Sequence, residues 1–144
     1  MATGDSIFSE GTQVTAITGG ATRASGVYST SGEVTALSSN TAIFGDATLS
    51  CSFTVAPVAG EKVSLFRRDI NIDSTNDAAV PASGRPEIFM GTFTVLAVTT
   101  QQFMSLPSIP LFSGDQEFYI RNDTSQTMDA DYLVKIKPMH INQA

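Results

Sequence analysis

The chain has 144 residues, 42% of them hydrophobic and only 15% charged, with a formal net charge of -6. This length suits one domain around one core, and an acidic chain without clustered Lys and Arg lacks what neutralises a phosphate backbone, so nucleic-acid binding is not expected. The lone Cys51 permits neither an intramolecular disulfide nor a multi-cysteine metal site; neither a membrane-spanning apolar run nor a secretory leader is visible, so no membrane role is expected.

Residues 1–40 hold fourteen Ser or Thr and six Gly but only four charged groups, Asp5, Glu10, Arg23 and Glu33. Short alternating pieces at Gln13–Ala16 and Glu33–Leu37 are broken by Gly19-Gly20, Gly26 and Gly32. The stretch reads as an extended N-terminal arm or a set of edge strands that buries little in its own subunit and takes its order from a neighbour. Its bulkiest apolar side chains, Ile7, Phe8 and Tyr28, are the expected partner contacts. Residues 41–144 are then the β-sandwich domain.

From Ala47 to Val55 the alternation is clean, with Ala47, Leu49, Cys51, Phe53 and Val55 on one side and Thr48, Ser50, Ser52 and Thr54 on the other, as in a half-buried antiparallel strand. Pro57 ends it, and Ala59-Gly60-Glu61 turns into a strand from Lys62 to Ile72. There Val63 and Leu65 share one parity and Ile70 and Ile72 the other, which predicts a β-bulge near Phe66 to Arg68. A second phase change separates Ile88 and Met90 from Phe93, Val95 and Ala97, with Gly91 suited to the bulge.

Between these strands, Asp73 to Pro86 reads as a long polar loop. Pro107 and Pro110 exclude a central strand after Gln102, while Phe118 with Ile120 and Val134 with Ile136 mark the last two strands. Short strands joined by Gly, Pro and Asx turns predict an all-β fold, an antiparallel β-sandwich with a jelly roll as the favoured topology.

Candidate chemistry is thin. His140, the only imidazole, stands in a tail after Pro138 and is expected to be an ordinary surface or interface residue. Cys51 shares a face with Leu49 and Phe53 and reads as core. Asp69, Asn71 and Asp73 begin a loop that fails the calcium-hand pattern, with Ser74 where Gly is needed and Val80 where Glu is needed. Asn122-Asp123-Thr124 reads as a turn and not as a glycosylated site. Arg67-Arg68 and the pair Lys135 and Lys137 read as solvated strand positions. Without Trp, a sugar platform would have to come from Tyr28, Tyr119, Tyr132 or a Phe. The chain is expected to be no enzyme and to need no metal and no cofactor.

The stretch Val63 to Asp77 with Ala79-Val80-Pro81, then Ile109 to Asn122 and Val134 to Pro138, resembles small virion proteins of tailed bacteriophages, over residues 63–138. Those proteins are similar to jelly-roll decoration, or cement, proteins. The resemblance implies a homo-oligomer on the outer surface of the capsid, partnered by itself and by the major capsid protein. The alternative is a tail or head-fibre component with a carbohydrate- or receptor-binding β-sandwich.

Overall fold

The computed structural model describes residues 6–70, 80–82, 88–111 and 114–143. In chain order they form β1 Ser6–Glu10, β2 Val14–Thr18, a single 3-10 turn Ser31–Glu33, β3 Leu37–Asn40, β4 Phe44–Cys51, β5 Lys62–Ile70, β6 Ile88–Thr94, β7 Gln102–Pro110, β8 Gly114–Asn122 and β9 Leu133–Gln143. All the strand pairs are antiparallel.

The pairing is nested: β5 with β6, β4 with β7, β3 with β8 and β2 with β9. It is the pattern of one long hairpin. Rolling that hairpin brings β4 beside β9 and β5 beside β8, which yields two sheets, β2-β9-β4-β7 and β3-β8-β5-β6, with β1 extending the first along the far half of β9. This order is a jelly roll, and the fold is an all-β sandwich.

Alternation builds the core between the sheets. Ala47, Leu49 and Cys51 of β4, Val63 and Leu65 of β5, Phe118 and Ile120 of β8, and Val134 and Ile136 of β9 are each 0% exposed. Phe53, beyond the end of β4, is also buried and bridges Met128. Val55 is not: it is 57% exposed in the loop after the strand.

The register between β5 and β8 runs unbroken from Val63 opposite Asn122 to Ile70 opposite Asp115, so β5 carries no bulge of its own. Arg67, 2% exposed, continues the inward face of Val63 and Leu65; its guanidinium donates to the Pro110 carbonyl at 3.3 Å and meets Asp69 at 3.3 Å. A charged residue in an apolar series disguised the parity. The bulge expected around Gly91 is present: Leu65 faces Gly91 while Phe66 faces Phe89, leaving Met90 as the extra residue. Gly91 has φ +146, and a Cβ there would stand 2.8 Å from Leu106. β7 lies at a sheet edge, where its prolines cost no ladder bond, and is bulged around Pro107 and Ser108.

The packing overturns the expectation that residues 1–40 bury little in their own subunit, while β1 and β3 are edge strands as the alternative had it. Ala16 and Ile17 are fully buried, Leu37 is 5% exposed, β2 and β3 belong to opposite sheets, and the segment between them is bridged at Arg23 to Met128 and at Tyr28 to Arg121. A run rich in Ser, Thr and Gly still supplies strands when its few apolar side chains fall on one face. Most of the loop expected from Asp73 to Pro86 lies outside the described residues.

Candidate functional site

The sequence-predicted residues do not converge. Ile7 and Phe8 lie on β1, opposite Asn142 and Ile141 of β9; their side chains fall outside the described part. Tyr28 lies on the other sheet and packs within its own subunit, 5.3 Å from the Phe66 ring, with Arg121 over both rings and donating to its hydroxyl at 3.2 Å. Part of its ring is thus covered within the subunit, and the rest is half-exposed.

His140 stands on β9 with Nδ1 3.4 Å from the Thr41 hydroxyl. Asp69 pairs with Arg67, and Asn71 and Asp73 lie outside the described residues. Among the described residues no three His, Cys, Asp or Glu side chains converge as a metal site. Asn122 is 0% exposed and forms an Asx turn: its Oδ1 accepts from the Thr124 amide and hydroxyl, and its Nδ2 donates to the carbonyls of Arg23 and Gln126. Tyr119 and Tyr132 are also 0% exposed, their hydroxyls donating to Glu117 and Glu33, so neither is a platform for a ligand. Of the basic positions, Arg68 pairs with Glu117 at 2.6 Å and Lys137 pairs with Glu10.

Cys51 is fully buried, and burial, with Asp131 and Asp129 adding to it, pushes its thiol up to about 12. In the native protein it should resist a thiol reagent at neutral pH for as long as the fold persists, and Cys51→Asp should cost several kcal/mol through an unpaired buried charge. Labelling as fast as that of a free thiol in urea would place Cys51 on the surface instead.

What distinguishes the surface is one end of the sandwich. Two loops meet there, residues 52–61 between β4 and β5 and residues 95–101 between β6 and β7. They are tied by backbone bonds from Gly60 N to Val95 O at 3.1 Å, Val95 N to Glu61 O at 2.9 Å and Phe53 N to Thr99 O at 3.3 Å. On these loops Val55, Val58 and Leu96 are 57%, 64% and 60% exposed, and Phe103, just inside β7, is 80% exposed.

These apolar side chains stand on pinned backbone. The Leu96 amide donates to Oε1 of Gln102 at 2.8 Å and its carbonyl accepts from Nε2 of the same side chain at 3.3 Å. The Val58 amide donates to Glu61 at 2.9 Å. Nearly buried Gln102 therefore holds Leu96 from within and leaves its side chain to solvent. A groove of about 530 Å³ runs beside it, lined by Leu96, Val98, Phe103 and Met104 among others.

A sequence signal for this end exists and is easily passed over. No Asp, Glu, Lys, Arg or His occurs from Ala47 to Gly60 or from Met90 to Ser113. Alternation scanned strand by strand finds the core face of these segments and overlooks that Glu61 is the one charged residue on their two loops. A smaller groove of about 310 Å³ crosses the outer face of the first sheet, past Thr48, Ser50, Phe103, Ser105, Leu133 and Lys135.

No family model matches the chain, and no curated protein does. Among solved structures the chain is similar to the carbohydrate-binding module CBM36 in complex with calcium and xylotriose, with a TM-score of 0.41 and 19% identity over 91% of this chain and 99% of that one.

Proposed function

We propose that this chain is a structural virion protein of a tailed phage, a decoration protein that binds neighbouring major capsid subunits from outside the head and works by burying surface. The observation that carries this reading is the apolar group at one end of the sandwich, Val55, Val58 and Leu96, held exposed on pinned loops. Interface centres are depleted in charge and enriched in apolar groups fixed in place, because no charge must be desolvated and little side-chain freedom is lost. The resemblance of residues 63–138 to virion proteins supports the same reading, which requires no catalysis, cofactor or metal.

Fully burying an aliphatic side chain is worth about 1.5 to 3 kcal/mol. A Val58→Asp, Leu96→Asp double variant should therefore fold, since both positions are exposed, and should bind particles lacking the protein at least about a hundredfold more weakly. Unchanged binding would remove this end from the contact.

A second reading is a carbohydrate- or receptor-binding component of a tail or head fibre. The groove across the first sheet favours it, offering the hydroxyls of Thr48, Ser50 and Ser105, Lys135 and the open ring of Phe103. Copy number separates the two: on a stained gel of purified virions a decoration protein approaches the abundance of the major capsid protein, whereas a fibre component is scarce.

A further inference from the structure

We infer that β7 is a self-association edge, and that two copies of this chain pair through it antiparallel about a two-fold axis at Met104. Among the described residues β7 is the last strand of its sheet on that side, so alternate N–H and C=O groups along it face away from β4. Edge strands in soluble proteins are commonly guarded by an outward charge, most often Lys. Here the strand and its flanks, Met90 to Ser113, hold no charge, and the outward position nearest the start of the strand is Phe103, 80% exposed.

The occupant follows from charge and register. In a chain of net charge -6, an uncharged edge is where a second copy can approach with least repulsion, and it offers a charged partner nothing to pair with. Pro107, Pro110 and the bulge around Ser108 close the far half of β7 to pairing, which leaves the five residues Gln102 to Leu106. Their midpoint is Met104. A two-fold axis there sets Phe103 opposite the other copy's Ser105 and Gln102 opposite its Leu106. It pairs only residues of the same parity, so whichever alternate set faces outward, its donors and acceptors meet. The partner's strand would also cover the side of the groove formed by Phe103 and Met104. Burying two copies of Phe103 and of this side of the groove supplies the apolar contact that a bare five-residue ladder lacks. This contact goes beyond the capsid reading and stands or falls separately from it.

Sedimentation equilibrium of the full chain from micromolar to millimolar concentration should give a mass rising towards twice 15.2 kDa. Phe103→Lys, at a position exposed enough to leave the fold intact, should hold it at the single-chain mass. Register is read separately: Met104→Cys should give an intermolecular disulfide on mild oxidation, because directly opposed residues in an antiparallel pair lie within disulfide range and Cys51 is buried. A single-chain mass at every concentration overturns the proposal, as does an oligomer that Phe103→Lys leaves intact or in which Met104→Cys does not cross-link. A dimer formed through β7 that does not bind particles refutes the capsid reading alone. Particle binding by a protein that stays single refutes the β7 contact alone.

Discussion

Deleting residues 1–40 should abolish the cooperative thermal melt. The deletion removes β2 from the edge of β9 and β3 from the edge of β8, and takes Ile17 and Leu37 out of the core. Each of those two side chains is worth roughly 2 kcal/mol of burial. It also uncovers Tyr132, Val134 and Ile136, now fully buried, and strips the Tyr132 hydroxyl of the carboxylate that accepts from it. Set against a total stability of about 5 to 15 kcal/mol for a domain of this size, these losses leave no margin. The measurement is calorimetry beside near-ultraviolet circular dichroism. A truncated protein that keeps a single sharp transition and its aromatic signal would show that the sandwich is complete without this segment.

Replacing Glu33 with Gln should cost about 3 kcal/mol at neutral pH and progressively less in acid. Glu33 lies at the 3-10 turn, its side chain 8% exposed, and accepts from the Thr30 amide at 2.8 Å, the Gly20 amide at 3.1 Å, the Tyr132 hydroxyl at 2.8 Å and the Arg23 guanidinium. Burial by itself pushes this carboxyl up, but the bonds from Arg23, Thr30, Tyr132 and Gly20 outweigh it and hold the group at about 2. A carboxyl depressed in the folded state stabilises fully above its unfolded value, near 4.5, and loses that contribution as pH falls towards 2. Urea unfolding of both proteins at pH values spanning this window should therefore show a gap that is widest at neutral pH and closes in acid. A gap independent of pH would mean that the carboxylate's charge is not what stabilises the site.

The fold class was open to reading from the sequence because alternation is a local signal. Ala47, Leu49 and Cys51 face one way whatever the rest of the chain does, and Pro107 and Pro110 deny β7 a central place on backbone grounds alone. Where the reading failed, the deciding interaction was distant in sequence. Arg67 faces inward because the Pro110 carbonyl and Asp69 receive it there, and no local pattern tells an inward arginine from a solvated one. Residues 1–40 looked poor in burial because their apolar side chains are few; that Ile17 and Leu37 reach the core depends on β8 and β9, far along the chain. The candidate site was missed for a related reason. Exposure of Val58 and Leu96 follows from loops pinned by Glu61 and Gln102, whereas composition shows only that these stretches are apolar.

The nested pairing of the strands also constrains the time course of folding. Only β5 with β6 closes across a single intervening segment; each further pair, β4 with β7, β3 with β8 and β2 with β9, encloses all those before it. Every enclosing pair must close a longer loop unless the inner ones have already shortened it, so the route of least entropic cost zips outward from the β5–β6 hairpin. With contacts this distant in sequence, the expected folding time is milliseconds to seconds. During synthesis the β3-β8-β5-β6 sheet can assemble once β8 has emerged. The other sheet waits for β9: β4 can already pair with β7, but β1 and β2 have no partner until β9 arrives.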